Sequence, residues 1–98
     1  MTTYIDNIVS RVQTDLNIKD QRLAQFYALL ILVKGSNITL EDVHDAWAMN
    51  MNFKPTTNYC YGHEHLSIVP FDKLSKETQN KDASFVAKLN KIAKFMGK

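Results

Sequence analysis

The chain is poor in the residues that would commit it to several common chemistries. Its one cysteine, Cys60, cannot form an intramolecular disulfide, which fits a reducing compartment and makes the cytoplasm the expected location. Its three glycines, Gly35, Gly62 and Gly97, are too far apart to form a phosphate-cradling loop. The densest apolar run, residues 26–33 (FYALLILV), falls well short of the ~20 residues that span a bilayer, and residues 1–15 lack a basic start followed by an apolar stretch. No membrane association is expected. The formal charge is only +2 and there is no arginine cluster, so nucleic acid is not an expected partner either. Lys81, Lys88, Lys91, Lys94 and Lys98 gather near the end, where a solvated helix face that complements the helix dipole accounts for them.

What the sequence does have is helical periodicity. Ninety-eight residues that are 45% apolar suit a single domain over residues 1–98 with one modest core. Thr3 and Asp6 form a capping pair ahead of Tyr4, Ile5, Ile8, Val9, Val12 and Leu16, which predicts a helix over residues 3–16. After a break at residues 17–20, Leu23, Phe26, Tyr27, Leu30 and Val33 mark a second helix that is apolar almost all round, as a central helix would be, with Gly35 placed to end it. Thr39 and Asp42 repeat the capping pair before a third helix over residues 40–52, on which Leu40, Val43, Trp47 and Met51 share a face. A looser turn over residues 71–81 leads to a last helix carrying Phe85, Val86, Leu89, Ile92, Ala93 and Met96, with Asp82 as its expected cap. The fold class is mostly α: a bundle of about four helices, made of an N-terminal pair over residues 3–35 and a segment over residues 40–98.

Between the third and last helices lies a long aromatic loop. Pro55 stops the helix, and no 3.6-residue period survives from there to Pro70, although Leu66, Ile68 and Val69 allow a short extended piece. Loops of this length in small domains usually carry function. His63 and His65 flank Glu64, but neither a zinc-binding helix motif nor a cysteine pair accompanies them, so no metal or other cofactor is expected. Ser67 lacks a nucleophile elbow, Cys60 sits between two tyrosines, and the carboxylates have no spacing diagnostic of acid–base work. No enzymatic activity is expected. What remains is recognition chemistry. Trp47, Tyr59 and Tyr61 offer faces on which a base could stack, Asn52, Asn58, His63 and His65 offer hydrogen-bonding edges, and Lys54 could meet a phosphate. By spacing alone Trp47 suits the core better than a ligand platform.

Two motifs resemble those of the ryanodine-receptor repeat domain: His44-Asp45-Ala46-Trp47 on a helix, and His65-Leu66-Ser67-Ile68-Val69-Pro70-Phe71-Asp72-Lys73-Leu74. Tyr61-Gly62 stands for the aromatic-glycine loop element and residues 85–95 for the closing helix. Leu66 and Phe71 depart from the proline and tyrosine of that pattern. The chain also looks like a group of small bacteriophage proteins that share this ending. The resemblance implies adenine-nucleotide binding by stacking on Trp47, a cleft bordered by Tyr61, His63 and His65, and twofold self-association into a homodimer. The expected function is therefore a non-enzymatic module for a nucleotide or nucleotide-derived signal, held by Trp47, His44, Lys54, Tyr59, Tyr61, His63 and His65. In a phage such a module would sequester a host defence signal in the host cytoplasm. The alternative is a protein-interaction adaptor acting on a host or virion partner.

Overall fold

The computed structural model describes residues 2–53 and 68–98, and the fold is a small helical bundle. Helix α1 covers Tyr4–Leu16, α2 Gln21–Lys34, α3 Leu40–Asn52 and α4 Ala83–Phe95. Both predicted capping boxes form. The Thr3 hydroxyl accepts from the Asp6 N–H while the Asp6 carboxylate accepts from the Thr3 N–H, and Thr39 and Asp42 repeat the arrangement at 3.2 and 2.9 Å. Each box satisfies two N–H groups that a helix start leaves without a partner. Asn17, in the left-handed region at φ 56°, ends α1, and Asp20 caps α2 through the Leu23 N–H. No helix among the described residues is long and apolar enough to cross a membrane.

Helix α2 is central. It packs between α1 and α3 and also touches α4, which lies across α1 and α3 as well. Val12, Ala24, Tyr27, Ile31, Val43, Leu89, Ile92 and Ala93 form the sealed core where the four helices meet. Apolar all round did not mean buried all round, however: Leu29 and Val33 are 52% and 66% exposed on the outward side of α2. The core face of α3 is also turned from the expected one. Val43, Ala46 and Asn50 are buried, whereas Leu40, Trp47 and Met51 lie at its border. The buried Asn50 explains part of this rotation, because its amide donates to the Asp20 carboxylate at 3.0 Å and ties the end of α3 to the start of α2.

Two other expectations are corrected. Ile68 and Val69 form a bend and not an extended piece, and Leu66 lies outside the described residues. Residues 71–82 are wound tightly where a looser turn was expected. A 3-10 turn at Phe71–Lys73 is followed by one α-turn at Lys76–Gln79, capped by the Ser75 hydroxyl, and a second 3-10 turn at Asn80–Asp82. That second turn runs straight into α4. Asp82 therefore has φ −95° and ψ 13°, outside the extended region from which a side chain reaches back to cap, and its carboxylate makes no cap bond.

The α2–α3 connection is held by a long-range clamp. Asn90 on α4 accepts from the Ile38 N–H at 2.9 Å and donates to the Ile38 carbonyl at 3.0 Å, satisfying both main-chain groups of a residue only 3% exposed. Lys34 pairs with Asp42 at 3.2 Å beside it. Gly35 adopts φ +62°, and a Cβ there would stand 2.8 Å from the Lys98 carbonyl. Truncating Asn90 to alanine should cost about 2 kcal/mol in urea unfolding, since two buried main-chain groups lose their partners. A loss below about 0.5 kcal/mol, the range of ordinary surface changes, would show that the clamp is dispensable. Gly35→Ala should also destabilise, by about 1–3 kcal/mol, through strain at positive φ.

Candidate functional site

The site is built around a buried histidine. His44 lies on α3 with 5% exposure, and its Nε2 is 2.7 Å from the Val69 carbonyl. A carbonyl can only accept, so Nε2 carries a proton and donates it. The bond brings the returning chain onto α3. Pro70 follows in an extended conformation, and Phe71 then packs tilted against the imidazole, with ring centroids 6.2 Å apart. The imidazole also stacks with Trp47, one turn further along α3, at 5.9 Å and 30°. The three rings make one aromatic wall.

Gln79 fixes the opposite side. Its side-chain amide donates to the carbonyls of Phe71 and Leu74 at 3.0 and 3.2 Å, which stops the 3-10 turn from unwinding and uses both amide hydrogens. Between wall and turn is an open cleft of about 250 Å³. Its lining adds Leu74, Thr78, Gln79, Lys81 and Asp82 to the aromatic wall. Trp47 is half-buried there, neither sealed in the core nor fully exposed.

Electrostatically, Asp82 is the distinctive group. Burial pushes its carboxyl above the ordinary value, with the charges of His44 and Lys81 working in the opposite direction. Tyr27, in the core behind it, has its phenol pushed well up, first by burial and then by the Asp82 charge. The cleft thus combines flat apolar faces, a half-buried carboxylate, an amide oxygen, a hydroxyl and an ammonium. Among the described residues, no group of three His, Cys, Asp or Glu side chains is placed to hold a metal ion.

Of the expected site residues, the fold brings His44 and Trp47 together. Lys54, Tyr59, Tyr61, His63 and His65 lie outside the described residues. Sequence reasoning missed Phe71, Leu74, Thr78, Gln79, Lys81 and Asp82. Asp82 was misread as a helix cap, and the others carried no signal beyond the apolar Phe71 and Leu74 at a spacing of three.

Fold and site together define a small helical bundle protein with an aromatic cleft between its third helix and a tightly turned return segment. The chain belongs to the family described as "Domain of unknown function (DUF7701)", whose model matches residues 3–94. No curated protein and no solved structure matches it. The family match corrects the resemblance to the ryanodine-receptor repeat domain: it takes in almost the whole chain, N-terminal helical pair included, and nothing indicates that repeat. Two short motifs built from His, Trp and a Val-Pro-aromatic turn are too brief to define a family by themselves. Adenine stacking and twofold pairing, as implied by that resemblance, lose its support.

Asp82 also makes a prediction about stability. A carboxyl whose value is raised on folding favours the folded state below its unfolded value near 3.8 and weakens it as pH rises through the folded value. Neutralising it removes that penalty. Asp82→Asn should therefore raise the melting temperature at pH 7, and the gain should shrink toward zero as pH falls below about 4. A variant that melts lower at pH 7 would mean that the carboxylate is stabilising.

Proposed function

We propose that this chain is a non-enzymatic small-molecule binding module whose cleft takes the base of a nucleotide or nucleotide-derived signal. The observation that carries the reading is the position of Trp47: half-buried, stacked with His44 and facing open space instead of the core. An aromatic face held in this way is a stacking platform with its ordering cost already met by the fold, and stacking contributes about 1–3 kcal/mol per base. Lys81 at the rim supplies a point charge for a phosphate. Sequestering a signalling nucleotide in the cytoplasm of a host is the biological use that fits a binding module of this kind.

A second reading, a protein-interaction adaptor, draws on a different observation. Leu29, Val33, Met49, Phe53 and Phe95 are each about half exposed or more, and scattered apolar groups of this size can anchor a partner.

Trp47 is the only tryptophan, so its fluorescence reports on the cleft alone. Titration with nucleoside monophosphates of all four bases, ADP-ribose and cyclic nucleotides should give saturable quenching by at least one of them. The same compound should raise the melting temperature of the wild-type chain by linkage and leave that of Trp47→Ala unchanged. If no nucleotide quenches or stabilises, the binding reading fails and the adaptor reading takes its place.

A further inference from the structure

The hydrogen-bonding groups of the cleft divide into those already committed and those left over. His44 Nε2 donates to Val69, and both Gln79 amide hydrogens go to the carbonyls of Phe71 and Leu74. Gln79 thus presents only its Oε1. Thr78 Oγ1 accepts from the Ser75 hydroxyl at 3.0 Å and keeps its own proton to give. Asp82 stands immediately before α4 without capping it, and no hydrogen bond to its carboxylate is made by a described residue. Besides the ring nitrogens of the stacking wall, His44 Nδ1 and Trp47 Nε1, the uncommitted set is two acceptor groups, Asp82 and Gln79, with one hydroxyl donor, Thr78, and the Lys81 ammonium at the rim.

That set discriminates among bases. Adenine and cytosine present one amino donor beside a ring-nitrogen acceptor, which would oppose a carboxylate lone pair. The single N–H of uracil lies between two carbonyl acceptors. Guanine alone presents two adjacent donors, N1–H and the 2-amino group, followed by a carbonyl. A carboxylate takes two such donors in bidentate fashion, the stronger kind of charge-assisted contact. The Gln79 oxygen can take the second amino hydrogen, and the Thr78 hydroxyl can serve O6. Resting on the nucleotide reading of the cleft, we infer that its base is guanine, read by Asp82, Gln79 and Thr78 while stacked on Trp47. The cleft volume of about 250 Å³ is smaller than the roughly 300–1,000 Å³ of sites that enclose drug-sized ligands. It therefore encloses a base and leaves the ribose and phosphate at the mouth, near Lys81.

The test is a Trp47 fluorescence titration with the monophosphates of guanosine, inosine, adenosine and xanthosine, on wild-type protein, Asp82→Asn and Lys81→Ala. Inosine lacks only the 2-amino group, so its monophosphate should bind about tenfold more weakly than that of guanosine, and that of adenosine more weakly still. Asparagine offers one acceptor and one donor. Asp82→Asn should accordingly lose affinity for the guanosine compound and gain it for xanthosine monophosphate, whose 2-carbonyl replaces the amino group. A residue with only a structural role would not exchange one base preference for another. Lys81→Ala should weaken all four compounds and keep their order. Saturable binding with equal affinity for the guanine and adenine compounds, or an Asp82→Asn variant with an unchanged order, overturns the guanine inference and leaves the nucleotide reading standing. No quenching by any of the four or by other nucleotides overturns both.

Discussion

The hydrogen bond from His44 Nε2 to the Val69 carbonyl joins positions 25 residues apart, and the cleft depends on it. Together with the packing of the Phe71 ring on the imidazole, it holds Pro70 and Phe71 against α3 and so sets the position of the Phe71–Leu74 turn that Gln79 pins relative to Trp47. A buried imidazole is expensive to leave without a partner, so the bond is also one that the fold has reason to keep. It also commits Nε2 of His44, so that in the proposed reading the polar edge of a ligand would be met by Asp82, Gln79 and Thr78.

Stability and site chemistry pull in different directions at Asp82. The 3-10 turn before α4 denies it the capping role that its sequence position suggests, burial disfavours its charge, and the neighbouring Tyr27 phenol is buried behind it. Elsewhere the chain follows the ordinary rules closely. Both capping boxes close, Asn50 is paired with Asp20, and Asn90 satisfies both main-chain groups of Ile38. A half-buried carboxylate without a hydrogen bond among the described residues is the kind of local inconsistency that marks functional positions.

The helices were legible in the sequence because capping and periodicity are local: Thr3/Asp6 and Thr39/Asp42 mark two helix starts, and Gly35 one end. The rotation of α3 was not. Whether Val43, Ala46 and Asn50 or Leu40, Trp47 and Met51 face inward depends in part on the bond from Asn50 to Asp20, far away in the sequence, and an apolar pattern does not see a polar anchor of that kind. The same limit applies to the site. His44 and Trp47 stood out by residue type, but Gln79 and Asp82 gain their roles only when the 71–82 segment winds into three successive turns. The short motifs shared with another family misled for a related reason, since a His-x-x-Trp step is what any helix needs to stack an imidazole on an indole one turn away.

In the proposed reading Trp47 and the 71–82 turns form one ligand-facing surface, separate from exposed Leu29 and Val33 on the outward side of α2. Two-dimensional ¹⁵N NMR of the protein titrated with guanosine monophosphate tests this most directly. The Trp47 indole N–H and the amides of Phe71, Gln79 and Asp82 should shift together along one binding curve while those of Leu29 and Val33 stay in place. An unmoved indole resonance, or shifts confined to the outer face of α2, would contradict it.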